Sequence, residues 1–242
     1  MAAAIDVAQL TFAYPGAEAP VFRELSIAIP AGARCLLLGA NGVGKSTLLR
    51  LVAGKHMLPG EPVRVLGRPA FSDTTLAAEV AFLGGPFPFA ADISVGAMLA
   101  GRPGIDPGRR ARVMDILDVD PAWRMHRVSD GQRRRVQVLL DLERTLRVVL
   151  LDEVTAELDV LARADLLAFL REESVARGLT VVYASHVFDG LADFATHVAF
   201  LSPGRLRWFS PTADLLAAQS LPLRELAEKW MREDRRTKPV NP

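Results

Sequence analysis

The chain has 242 residues, half of them apolar, and is therefore long enough to bury a large core in one or two domains. Its 29 lysines and arginines nearly balance its 28 aspartates and glutamates, so net charge does not favour nucleic acid or an anionic membrane as the main partner. A single cysteine, Cys35, excludes an intramolecular disulfide. No apolar run approaches the roughly 20 residues of a membrane-spanning helix, and no secretion-signal pattern is found, which predicts a cytoplasmic protein.

The first half of the chain predicts a hairpin, a buried strand and a helical region. The extended segments "IDVAQLTFAY" and "PVFRELSIAIP" flank the turn residues "PGAEAP" and predict a β-hairpin. The apolar run "ARCLLLG" predicts a buried strand with Cys35 in the core, and "KSTLLRLVAG" predicts a helix after it. Helical spacing near residues 94–99, 109–117 and 130–144 then predicts a helical insertion.

The second half predicts a parallel sheet. Two buried strands, "RVVLLDE" and "TVVYASH", flank a long amphipathic segment that ends at Gly178. A strand, a helix and a strand in this order predict a right-handed crossover and an α/β fold. The segment "VAFLSPGRLRWFS" predicts a terminal hairpin, and the charged residues after it predict a helix followed by a frayed end.

A phosphate-binding loop lies between the first buried strand and its helix. The segment "GANGVGKST" has a glycine, four variable residues and then Gly-Lys-Ser. Main-chain N–H groups of such a loop surround a β-phosphate, Lys45 reaches the β- and γ-oxygens, and Ser46 offers its hydroxyl to Mg²⁺. The predicted nucleotide-binding residues are Gly39, Asn41, Gly42, Gly44, Lys45, Ser46 and Thr47.

Two acids follow a buried strand in "VVLLDE". Phosphoryl transfer needs a metal-holding acid near the loop hydroxyl, at the end of an adjacent strand. We therefore expect Asp152 to hold Mg²⁺ together with Ser46, and Glu153 to be the catalytic base for the attacking water.

In their order along the chain, these motifs resemble the ATPase domain of the ATP-binding cassette (ABC) family over about residues 5 to 210. Tyr14 in "LTFAYPG" matches the aromatic residue that stacks on adenine, a contact worth about 1 to 3 kcal/mol. "VSDGQ" matches the family signature LSGGQ, and "AELD" matches the D-loop through Asp159. "YASH" places His186 where the family has the histidine that senses the γ-phosphate.

The resemblance implies a P-loop NTPase fold of ABC type. We expect a mostly parallel core sheet, an N-terminal antiparallel β subdomain and a helical signature subdomain at about residues 85–147. The ABC ATPase domain would span residues 1–210, and residues 211–242 would form a C-terminal helical extension and a frayed tail.

The resemblance also implies ATP and Mg²⁺ as cofactors and a nucleotide-dependent dimer. In the family, two domains enclose two ATP molecules head to tail, so Ser129, Gly131 and Gln132 would serve the nucleotide of the opposite subunit. The partner would be a second copy of this chain or a similar ABC chain.

Asp130 stands in the signature where a small, uncharged residue is expected. A carboxylate about 6 Å from a γ-phosphate charge would cost roughly 3 kcal/mol per charge at an effective dielectric near 20. If Ser129 caps the following helix, Asp130 falls in the first turn, where an acid suits the helix dipole. We therefore expect Asp130 to point outward. The arginines at 133–135 are expected at solvated or dipole-pairing positions rather than in a nucleic-acid patch.

Two further departures from the family concern coupling. Gly84 and Gly85 stand where transporter ATPases have Pro-Gln, whose glutamine touches both Mg²⁺ and the membrane subunit. Val154 stands where the family has proline. These departures, with "YASHVFDGLADFATHVAFL", are similar to the stand-alone soluble ABC ATPases of plants and fungi over about residues 123–202. That subgroup includes a fungal member linked to a transcription-regulatory complex.

These features predict a soluble ABC ATPase whose cycle drives or resets a protein-assembly or regulatory step, with a soluble regulatory complex as a possible partner. Two alternatives remain open. One is the ATP-binding subunit of a transporter with separately encoded membrane subunits, and the other is a nucleotide-gated interaction module with little turnover.

Overall fold

The computed structural model describes residues 2–85, 87, 91–154, 158–185 and 191–237. The strands in chain order are β1 (Ala3–Phe12), β2 (Phe22–Pro30), β3 (Arg34–Leu38), β4 (Val63–Val65), β5 (Arg68–Pro69), β6 (Val80–Leu83), β7 (Val148–Asp152), β8 (Thr180–Ala184), β9 (His197–Ser202) and β10 (Arg205–Pro211). The helices are α1 (Lys45–Val52), α2 (Val95–Ala100), α3 (Pro107–Ile116), α4 (Asp130–Leu142), α5 (Val160–Arg177), α6 (Leu191–Phe194), α7 (Thr212–Gln219) and α8 (Leu223–Thr237). A 3-10 helix spans Thr74–Ala78.

The smaller sheet is antiparallel and confirms the predicted N-terminal hairpin. Its strand order is β2-β1-β4-β5. Ile5 pairs with Ile29 and Val7 pairs with Ile27, and all four side chains are buried. Alternate residues of β2 face the core, as expected for a strand with one solvated face.

The larger sheet forms the centre of the molecule and has the order β10-β9-β3-β8-β7-β6. It is parallel except for the pairing of β9 with β10, which confirms the α/β prediction. Every residue of β3 and β8 is buried, because helices and the smaller sheet cover both faces. The carboxyl ends of β3, β6, β7 and β8 meet at one edge, where the phosphate loop also begins.

Cys35 lies in β3 and is buried, as predicted. Burial raises the pKa of its thiol to about 12, since a thiolate would have to form in an apolar interior.

Three helices, α2, α3 and α4, lie between β6 and β7 and confirm the predicted helical insertion. Helix α4 turns Val136, Val138, Leu139 and Leu142 into the core. The limits of a separate subdomain at residues 85–147 stay a prediction, as does the boundary near residue 210.

Buried charges connect the helical insertion to the rest of the chain. The Glu143 carboxylate, whose side chain is 0% exposed, accepts from Arg102 Nε at 2.5 Å and from Arg110 Nε at 2.6 Å. Arg109 Nη1 lies 2.6 Å from Glu173 Oε2 on α5. The ends of α2 and α3 are thereby fixed to α4 and α5.

The C-terminal helix α8 covers part of the core. Trp230 is 2% exposed, and its ring lies edge-on to Phe200 at a centroid distance of 5.0 Å and stacked on Trp208 at 6.0 Å. Arg207 of β10 pairs with Glu233 and Asp234. Among the described residues, no helix combines the length and apolarity needed to cross a membrane.

Candidate active site

The phosphate loop follows β3 directly and leads into α1. Gly44, the residue before α1, has φ 107°. A Cβ on it would lie 2.7 Å from both Phe22 Cζ and Val21 Cγ1. Only glycine tolerates this backbone conformation and this close approach together. The loop therefore aims the N-terminal N–H groups of α1 at the space above β3, which favours an anion there.

Lys45 folds back over the loop. Its Nζ donates to the carbonyl oxygen of Gly39 at 2.8 Å and to that of Ala40 at 3.2 Å. Burial lowers the pKa of Lys45, while the nearby carboxylates of Glu153 and Asp152 oppose that shift. Lys45 is thus a buried cation in contact with the loop and close to two acids.

Ser46 and Asp152 meet across the site. Ser46 Oγ donates to Asp152 Oδ1 at 2.9 Å, although the two residues are 106 positions apart in sequence. Ser46 lies in the first turn of α1, and Asp152 is the last residue of β7. A hydroxyl and a carboxylate oxygen are hard ligands, so this pair fits Mg²⁺ with nucleotide phosphates completing its coordination.

Glu153 has an uncommon backbone conformation for a residue with a side chain. Its φ is 55°, in the left-handed region, and its amide donates to the Ala184 carbonyl at 3.0 Å. A non-glycine residue held there costs on the order of 1 to 3 kcal/mol, and such residues cluster at functional sites. The turn places Glu153 beside Asp152 on the same cavity.

That cavity has a volume of about 650 Å³ and contains most of the predicted site. Nine predicted residues line it: Tyr14, Asn41, Gly42, Gly44, Lys45, Ser46, Thr47, Asp152 and Glu153. Gly39 contributes the carbonyl that Lys45 contacts. Tyr14 lies at one side, with its hydroxyl 3.1 Å from Thr47 Oγ1 and its ring edge-on to Phe12 and His56. Its stacking on adenine stays a prediction.

Four residues that line the cavity were not among the predicted site residues: Val21, Arg50, Gly85 and Arg134. Arg50 could have been found, because it follows Ser46 by four positions and shares its face of α1. Arg134 gave no local signal, since its position depends on how α4 packs against the loop after β6.

The signature segment forms the start of α4. Ser129 Oγ accepts from the Gln132 amide at 3.2 Å, and Gln132 Oε1 accepts from the Ser129 amide at 2.9 Å, which completes a capping box. Asp130 occupies the first turn and is exposed in the single chain, as expected with Ser129 as the cap. Ser129, Gly131 and Gln132 do not line the cavity that contains Lys45.

Two arginines of α4, which were expected at solvated or dipole-pairing positions, are partly exposed and contact neighbouring site segments. Arg134 Nη1 donates to the Gly85 carbonyl at 2.8 Å. Arg135 Nη2 donates to Asp159 Oδ2 at 2.8 Å. Asp159 also caps α5 by accepting from the Ala162 amide, and this bond, with Arg135, lowers the pKa of its carboxyl.

His186 lies outside the described residues. Strand β8, which leads to it, ends at Ala184 in register with Asp152. Val154, which stands in place of the family's proline, is fully buried.

A family model described as ABC transporter matches residues 22–156. ABC transporter I family member 20 of Arabidopsis thaliana is 43% identical over 96% of this chain and 76% of its own length. CCR4-associated factor 16 of Saccharomyces cerevisiae is 40% identical over 84% of this chain and 77% of its own length. The nickel import ATP-binding protein NikO of Rhodobacter capsulatus is 35% identical over 91% of this chain and 94% of its own length.

The fold is also similar to solved ATP-binding cassettes. A dimeric cassette in a post-hydrolysis state, bound to ADP and Pi, superposes with a TM-score of 0.73 at 18% identity, over 86% of this chain and 98% of that one. At this identity the likeness shows the fold alone. The family match and the relatives show more: the chain belongs to the ABC transporter family and carries its ATP-binding P-loop domain.

Proposed function

We propose that this chain is an ATPase that binds Mg-ATP in the cavity above β3 and β7 and hydrolyses the γ-phosphate. The observation that carries the proposal is the convergence of Lys45, Ser46, Asp152 and Glu153 on one cavity. When ATP binds, the Lys45 ammonium would give up its hydrogen bonds to the carbonyls of Gly39 and Ala40 and donate to β- and γ-phosphate oxygens instead. Ser46 and Asp152 would hold Mg²⁺, which when bound neutralises charge on the phosphate oxygens.

In this proposal Glu153 accepts the proton of the attacking water. Glu153 lines the same cavity as Asp152, and its φ of 55° belongs to the turn that follows β7. His186 is proposed to contact the γ-phosphate, and Tyr14 to stack on the adenine. Gly39, Asn41, Gly42, Gly44 and Thr47 complete the binding loop.

We further propose that each site is completed by a second chain. Ser129 and Asp130 are exposed at the start of a 13-residue helix, and together with Gly131 and Gln132 they stand apart from the chain's own cavity. A helix N-terminus suits a phosphate, so this end of α4 would serve the nucleotide of a partner, with Asp159 nearby. The partner is a second copy or a similar ABC chain.

The proposed output is a protein-assembly or regulatory step that ATP binding drives and hydrolysis resets. The 40% identity to CCR4-associated factor 16, a protein named for its association with CCR4, supports this output. The similarity to NikO favours a second candidate, the ATP-binding subunit of a transporter. Gly85 weighs against it, because the loop after β6 presents no polar side chain at that position.

The first experiment uses Glu153→Gln. Removing a general base lowers the rate roughly 10² to 10⁴-fold, so this variant should bind ATP, remain dimeric and turn over very slowly. Hydrolysis is followed by phosphate release, and dimerisation by light scattering with ATP and with ADP. Unchanged turnover would show that Glu153 is not the base.

A mixing experiment tests the shared site. Lys45→Ala disables a chain's own loop, and Ser129→Arg obstructs its signature end, so each variant alone should be inactive. A dimer with one copy of each retains one intact pair of half-sites and should regain hydrolysis. If the mixture of folded variants stays inactive, the head-to-tail arrangement is wrong.

Affinity capture with ATP-loaded Glu153→Gln protein then distinguishes the regulatory step from the transporter and from the interaction module. Retention of a partner from a cytosolic fraction supports the regulatory step, and retention of a membrane subunit supports the transporter. Slow turnover of the unmodified chain with a nucleotide-dependent partner supports the interaction module.

A further inference from the structure

The loop after β6 passes against the metal-holding acid. A Cβ on Gly84 would lie 2.8 Å from Asp152 Cβ and 2.6 Å from Phe82 Cζ, so the main chain is in contact with both residues. Gly85 follows with φ 74°, and no atom of the described residues lies within 4 Å of the position a Cβ would take. Gly85 lines the cavity together with Asp152 and, as a glycine, contributes no side chain to it.

A side chain from α4 contacts the main chain of Gly85. Arg134 Nη1 donates to the Gly85 carbonyl at 2.8 Å and to Gln137 Oε1 at 2.7 Å. Arg134 also lines the cavity, together with Lys45 and Asp152. The second turn of α4 thus brings a cation to the side of the cavity where Asp152 and Ser46 lie.

In the proposed function, this side of the cavity is where ATP and ADP would differ. In that function Lys45, Ser46 and Asp152, which line the cavity with the Ser46 hydroxyl bonded to Asp152, would hold the metal and the terminal phosphate. A guanidinium presents five N–H donors in a planar fork, so one arginine can serve a main-chain carbonyl and an anionic ligand together. The negative charge of a terminal phosphate beside Asp152 would therefore attract the Arg134 guanidinium and alter its hydrogen bond to the Gly85 carbonyl.

The helix that carries Arg134 begins at the signature. Ser129 caps α4 five residues before Arg134, so both belong to the first two turns of one helix. The contact between Arg134 and Gly85 therefore belongs to the same helix whose first turn is proposed to serve a second chain. The two proposed half-sites are thereby connected within one molecule.

We propose that Arg134 is a positioning residue that senses the terminal phosphate of ATP in the chain's own cavity and sets the placement of the signature end of α4. The Arg134 guanidinium lies against the main chain of Gly85, a residue that has no side chain of its own to offer the cavity. The inference rests on the proposed function, since it requires ATP in this cavity and a second chain at Ser129.

The test measures Mg-ATP and Mg-ADP binding and ATP-dependent dimerisation in the Glu153→Gln background. Adding Arg134→Gln keeps an amide donor and removes the charge. It should weaken Mg-ATP binding about tenfold, leave Mg-ADP binding within about twofold, and raise the ATP concentration needed for dimerisation. Arg134→Lys restores the charge and should recover most of the ATP preference.

Arg112→Gln is the matched control, because Arg112 lies in the same helical region and pairs with the exposed Glu172. It should change neither affinity. If Arg134→Gln fails to fold, as judged by circular dichroism, Arg134→Met compared with Arg134→Lys gives the same contrast of charge.

Two results would overturn the inference. One is an equal loss of Mg-ATP and Mg-ADP affinity on removing the Arg134 charge, which would indicate a structural role. The other is an unchanged ATP preference with unchanged dimerisation. In both cases normal behaviour of the Glu153→Gln parent leaves the proposed function intact, whereas a parent that neither binds Mg-ATP nor dimerises would overturn both.

Discussion

Replacing Glu143 by alanine should destabilise the folded chain by about 2 to 4 kcal/mol. The Glu143 side chain is 0% exposed and binds two arginines, Arg102 and Arg110, through separate oxygens. Breaking a buried ion pair by removing one partner costs about 3 to 5 kcal/mol. The two arginines remain 35% and 22% exposed, so water compensates part of that loss, which lowers the expected value.

Urea unfolding followed by circular dichroism, without nucleotide, measures the effect as a shift of the midpoint at constant slope. Glu172→Ala is the matched control. Glu172 pairs with Arg112 at 2.6 Å, but the two side chains are 58% and 50% exposed, and such pairs contribute at most about 1 kcal/mol. Glu143→Gln keeps the shape of the side chain, and its unfolding midpoint should lie between those of Glu143→Ala and Glu172→Ala. Equal midpoints for Glu143→Ala and Glu172→Ala would refute the claim that Glu143 fixes the helical insertion.

Two other outcomes are expected from burial. Because the pKa of Cys35 is raised to about 12 and the thiol is buried, iodoacetamide at pH 8 should label it only after denaturation; rapid labelling of the native chain would contradict this. Trp230→Ala should lower stability by about 3 to 5 kcal/mol in thermal unfolding, since Trp230 is 2% exposed. Trp208→Ala should lower the stability clearly less, since Trp208 is 42% exposed. Equal losses of stability in the two variants would show that α8 does not cover the core.

Local patterns account for the parts of the fold and site that the sequence predicted. The hairpin, the buried strands and the phosphate loop depend on neighbouring residues, and the contact of Ser46 with Asp152 followed from the rule that parallel strands end at one edge. The cap of α4 also follows from local sequence, because Ser129 stands just before the helix, and Gln132 three positions on completes a capping box that the sequence analysis did not name.

Long-range packing accounts for the parts that were missed. The contacts of Arg134 with Gly85 and of Arg135 with Asp159 join residues 49 and 24 positions apart, and no periodicity within α4 indicates which loop each arginine meets. A run of three arginines reads as a solvated surface unless the neighbouring segments are known. The same limit hid the burial of Glu143 against Arg102 of the loop after α2 and Arg110 of α3.

Equilibrium binding of ATP tests the central claim most directly. Titration of the unmodified chain with ATP should show saturable binding that strengthens with Mg²⁺, and Lys45→Ala should weaken it at least about tenfold, because a buried charge-assisted contact to the phosphates is lost. Binding that is absent, or that is the same in Lys45→Ala and the unmodified chain, would contradict the assignment of this cavity to Mg-ATP.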